Sequence, residues 1–172
     1  MKSVTFLDRV RLMKQKTDFS PIVRTMIREG WSKNEDEAFQ LIDAFLQWIA
    51  LVPFTDPKMA YVMLLTPVDH AFHAFVLNTE FYQRFCMNHI GFFVHHNPLD
   101  DAMSNKIKSR GGVFYTVELL REQYGEALHP QLIDWCVKVK SGEYTVSSIS
   151  CVGCDYPDDE NLSLKDSAQL VA

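Results

Sequence analysis

Between Ser32 and Pro53 apolar residues recur as Ala38, Leu41, Ile42, Phe45, Leu46, Ile49 and Leu51, a face too broad for a surface helix and too long for a strand. The pattern Ser32-x-x-Glu35 in front of it is that of a capping box, and Pro53 closes it. A helix of this kind has to be wrapped by other elements, so the chain is constrained to build a helical domain around it. With 172 residues, of which 47% are apolar, it can enclose one sizeable core, and length argues against two independent domains.

The flanking segments supply the wrapping. Val4, Phe6, Leu7, Val10, Leu12 and Met13 predict a first amphipathic helix ending near Lys16. Ser20-Pro21 reads as an N-cap followed by proline at the first helical position, and Gly30 as the stop of that short second helix. After a turn at Thr55-Asp56-Pro57, the run Met59–Leu65 fits a buried helical turn or a strand; helix is the expectation. Thr66 as N-cap, Pro67 at N1 and Asp69 at N3 predict a helix to about Leu77, and Asn78-Thr79-Glu80 starts or kinks a further segment through Met87. Glycines at 111, 112 and 125 bracket a helix over 113–124, and Pro130 opens the last one. The expectation is an all-α fold, a single compact helical domain of about seven or eight helices over residues 1–140. Residues 141–172 form a Ser/Asp-rich, flexible tail containing Cys151-x-x-Cys154.

Charge and cysteine usage narrow the function classes. The net charge of −5 is concentrated at the end, where Asp155, Asp158, Asp159, Glu160 and Asp166 stand against Lys165 alone. The remainder is nearly neutral and has no basic stripe interleaved with aromatics, which argues against nucleic acid; the dense basic run Lys106–Arg110 reads as a solvated helix end. No continuous apolar stretch suits a membrane span or a signal peptide, so a cytoplasmic protein is expected, with its four cysteines reduced. The partner left open is a small molecule or another protein.

The chemistry sits in residues 66–98, which hold five of the six histidines. Asp69 and His73 are four apart and share one helix face, with His70 at its edge. A loop-borne third ligand from His95 or His96 completes a set of imidazole nitrogen and carboxylate oxygen suited to zinc, iron or manganese, with a coordination position left open. The alternative makes Asp69 an N3 capping residue, His73 a core histidine bonded to backbone, and the His95/His96 pair a polar turn. Thr79 and Tyr82 are read as hydrogen-bonded supports for the histidine loop, and Cys86 as a small core residue or, less simply, a thiolate nucleophile.

The run V-D-x-x-aromatic-H, then T-x-x-aromatic-x-x-aromatic-C, then G-x-x-x-H-H-x-P resembles the central motif of the glycine-rich domain-containing protein-like family, over roughly residues 30–137. The resemblance implies a helical domain in which Asp69, His73, Thr79, Tyr82, Cys86, His95 and His96 occupy signature positions. Two departures stand out: Phe72 replaces the family's usual Trp, and Phe75 a second His. A metal site here would therefore rest on Asp69, His73 and the His95/His96 pair. Competing with that reading is an interaction module in which the histidines are structural and the acidic tail docks on a partner.

Overall fold

The computed structural model describes residues 5–99, 107 and 111–152. The acidic cluster of the tail, Cys154 and the charged residues of the 106–110 run lie outside them.

The long apolar helix is the axis of the fold. Helix α3 (Glu35–Leu51) is packed by α1 (Phe6–Lys16), α2 (Ser20–Arg28), α4 (Pro67–Leu77), α6 (Gly112–Tyr124) and α7 (Pro130–Ser141), while α5 (Thr79–His89) lies against α4. From Ala38 to Leu51 only Phe39, Gln40 and Asp43 escape burial. The span Glu35–Phe54 is long and apolar enough to cross a membrane, but 67% of its apolar window is buried inside the fold, as befits a core helix. Its start lies two residues beyond the expected cap: Asn34 Oδ1 accepts from the Glu37 amide at 2.9 Å, and the Glu37 carboxylate reaches back to the Lys33 amide at 2.6 Å. Asn34 thus takes the role expected of Ser32, with the reciprocal carboxylate at Glu37.

The polar groups of Trp48, Tyr61, Gln47 and Tyr124 entering this core are matched. Trp48 Nε1 donates to the Val62 carbonyl at 3.0 Å and Tyr61 Oη to the Trp48 carbonyl at 2.9 Å. Gln47, buried on α3, bridges Ala127 and His129 through its amide group, and Tyr124 Oη donates to the Gln47 carbonyl. Such pairing removes the penalty of about 1–3 kcal/mol that each buried orphan would carry.

Two expectations need correction. The Met59–Leu65 run is not helical: Val62–Leu64 form strand β1, all three buried, and the run read as ambiguous because a strand covered on both faces shows no alternation. The folded unit also does not end at residue 140. Strand β3 (Ile149–Val152) returns and lies between β1 and β2 (Asn97–Pro98), antiparallel to both. Register runs Val62↔Val152 and Met63↔Cys151 on one side, Asn97↔Val152 and Pro98↔Cys151 on the other. The fold remains predominantly helical, and this small sheet fastens the histidine loop to the body.

Candidate metal centre

Helix α4 begins where the sequence indicates, at Thr66-Pro67, but its first turn is not closed by side chains. Thr66 makes no cap bond, and its hydroxyl instead accepts from Trp135 Nε1 at 3.1 Å. The Asp69 carboxylate, 1% exposed, is turned away from the helix end. Its Oδ2 accepts from the Ser150 hydroxyl at 2.7 Å and lies 3.3 Å from His73 Nδ1. This argues against the reading of Asp69 as a mere N3 cap.

His73 follows one turn later, its Nδ1 also 2.9 Å from the Asp69 carbonyl oxygen. A carbonyl oxygen only accepts, so in this bond Nδ1 is the donor and Nε2 is the nitrogen left for a ligand. His96 arrives from the loop between α5 and β2, its ring 4.5 Å from that of His73 and backed by Phe72 at 4.9 Å. Phe72 in turn stacks on Phe45 of α3, which ties the loop histidine to the central helix. Ligand atoms of Asp69, His73 and His96 all lie within 4.8 Å of one another.

The decisive detail is an unsatisfied pair. Asp69 Oδ1 and His96 Nε2 face each other at 3.8 Å, and both are buried without a hydrogen-bond partner. Buried orphans of this kind are rare and costly. A cation between the carboxylate oxygen and the imidazole nitrogen would satisfy both: with bonds of about 2.0–2.2 Å, a tetrahedral ion holds neighbouring ligand atoms at about 3.4 Å. The residues present therefore fit a metal ion with little adjustment.

Supporting residues are distributed unevenly. Tyr82 Oη donates to the Val94 carbonyl at 2.6 Å and so anchors the loop two residues before His96. His95 is not brought to the site: it is exposed, its ring edge-on to Phe93 at 5.0 Å, because adjacent residues of an extended segment point to opposite sides. Thr79 is exposed at the first position of α5 and, among the described residues, makes no bond to the histidine loop. Cys86 is fully buried, and burial pushes its thiol pKa up, which argues against a thiolate nucleophile. Burial likewise raises the Cys151 thiol, with the negative charge of Asp69 adding to the effect.

Two participants had no visible signal in the sequence. Ser150 stands 81 positions from the carboxylate it binds. Trp31 stacks on His70 at 5.5 Å and tilts against His73 at 6.1 Å, forming a half-buried aromatic wall at the solvent side of the trio. Gly30 makes this placement feasible: its φ of +73° turns the chain so that the Trp31 amide closes on the Met26 carbonyl at 2.9 Å.

A family model described as UCP032817-like matches residues 8–128, more than half of the chain. The chain belongs to the UCP032817-like family. No curated protein and no solved structure matches it. The stretch shared with the UCP032817-like model carries Asp69, His73 and His96, and stops before α7 and β3.

Proposed function

We propose that this protein binds one divalent transition-metal ion, zinc, iron or manganese, through Asp69, His73 and His96. The observation that carries the reading is the buried, unpartnered pair Asp69 Oδ1 and His96 Nε2 at 3.8 Å. Two imidazoles and one carboxylate are ligands of intermediate softness, and three protein ligands leave positions for water or a small molecule, as in catalytic rather than closed structural sites. His73, with its side chain 37% exposed, marks the side from which such a molecule would arrive. When bound there, the ion would supply Lewis acidity or, for iron and manganese, redox capacity. The chain itself supplies a His73 ring held through Nδ1 by the Asp69 carbonyl, a buried carboxylate and an aromatic wall from Trp31 and His70.

The motif's resemblance to the glycine-rich domain-containing protein-like family supports a shared polar site, with one imidazole fewer because Phe75, packed on Phe45 and Phe85, stands where the second His is usual. A cytoplasmic setting belongs to the same proposal, since Cys86, Cys136 and Cys151 are free thiols.

A second reading has one observation in its favour. The bond from Ser150 to Asp69 fastens β3 to α4, and His73 is tied to the Asp69 carbonyl of its own helix, as both would be in a purely structural staple of an interaction module. Elemental analysis of untagged protein purified without chelator, beside a His73→Ala/His96→Ala variant, separates the two. About one ion per chain in the parent and none in a still-folded variant is the expected result. No ion in either, with the variant merely less stable, would establish the staple.

A further inference from the structure

The pairing of β1 with β3 is broken between Met63 and Leu64, which oppose Cys151 and Ile149 respectively. Ser150 is thus the extra residue of a β-bulge, the one position of β3 without a partner on β1. Bulges re-aim a side chain out of the regular alternation. Here the re-aimed hydroxyl reaches Asp69 Oδ2 at 2.7 Å, in a site where Asp69 is 1% exposed and can accept but not donate when ionised.

The consequence is a division of labour within one carboxylate. Oδ2 takes the Ser150 proton and lies beside His73 Nδ1; Oδ1 takes nothing and faces His96 Nε2. We infer that Ser150 is a positioning residue for the metal centre, holding Asp69 as a one-oxygen ligand with Oδ1 presented to the ion. The inference rests on the metal-binding reading above. Ser150 lies outside the span matched by the family model and is not one of the three proposed ligands. Its hydroxyl occupies Oδ2, so that two-oxygen chelation and rotation of the carboxylate away from this orientation are both disfavoured. The bulge supplies the aim, and the pairing of β3 with β1 and β2 holds the bulge in place.

The test uses Co2+ as a probe on the full chain, comparing the parent with Ser150→Ala and Ser150→Thr. Loss of an outer-shell partner typically lowers metal affinity about 10–100-fold. The expected result is a weakening of that order in Ser150→Ala, a changed visible absorption spectrum of the bound Co2+, and recovery of both in Ser150→Thr, which keeps the hydroxyl. Hydrogen exchange at the Cys151 and Val152 amides verifies that β3 stays docked in Ser150→Ala. A parent that binds Co2+, beside a docked Ser150→Ala variant with unchanged affinity and spectrum, overturns the positioning role alone. Weaker binding with an unchanged spectrum, or without recovery in Ser150→Thr, overturns it as well by assigning the effect to fold stability. A parent that binds no Co2+ overturns the metal reading and this inference with it.

Discussion

Replacing His96 with alanine removes one member of the unpartnered pair, whereas replacing its neighbour His95 removes only an exposed ring resting on Phe93. We expect His96→Ala to abolish stoichiometric metal and His95→Ala to retain it, measured by elemental analysis of the two purified variants side by side. The sequence carried half of this distinction. The four-residue spacing of Asp69 and His73 places them one turn apart on any helix, but which of two adjacent histidines turns inward depends on loop dihedrals that no periodicity reports. Tyr82→Phe tests the loop's anchor: the buried Val94 carbonyl loses its donor, so a destabilisation of about 1–3 kcal/mol is expected in urea titrations. Histidines away from the site predict the acid response. Burial lowers the pKa of both His89 and His129 below the ordinary 6.5, so the folded protein holds these rings neutral while the unfolded chain protonates them. Their contribution is intact above that value and is lost as pH falls through the depressed folded values. Stability should therefore decline below about pH 6.5, and less steeply in a His89→Gln/His129→Gln variant, read as urea midpoints across pH.

At the level of elements, helices were legible and the sheet was not. Several helices carry start and stop signals within a few residues, as with Pro67 and Pro130 at helix starts and Gly125 just past a helix end, whereas α2 has Phe19 rather than the expected Ser20 at its N-cap. The strands carry almost none. Strand β1 is buried on both faces, β2 is two residues long, and β3 lies in a Ser-rich segment whose composition resembles a tail. Their pairing depends on contacts across more than fifty positions, which local patterns do not encode. Even for α3 the register of the cap was missed by two residues, because Ser32 and Asn34 are both good N-caps and only one fits the chain entering from Trp31. Asn34→Ala should therefore cost about 0.5–2 kcal/mol, and Ser32→Ala should leave the α3 N-terminus capped, both measured by chemical denaturation.

For the whole molecule, the site lies where three otherwise separate parts meet: the first turn of α4, the loop before β2, and β3. Anything that binds only the folded state stabilises it by mass action, so metal at one hundred times its dissociation constant should add about 2.7 kcal/mol. A corresponding rise in Tm on adding the ion is expected for the parent and not for His96→Ala, by scanning calorimetry. A chain ending at residue 144 keeps all three ligands in its sequence but lacks the strand that joins their supports, and we expect it to bind no metal in the same measurement.

The spatial order β1-β3-β2 places the last of the three strands to be synthesised in the middle. While the chain is being made from its N-terminus, α4 and the histidine loop emerge with β1 and β2 still lacking the strand that joins them. Only when residues 149–152 insert between them does the carboxylate meet the Ser150 hydroxyl. On the metal-binding proposal, a growing chain that has not yet made β3 would hold the ion no better than the chain ending at residue 144.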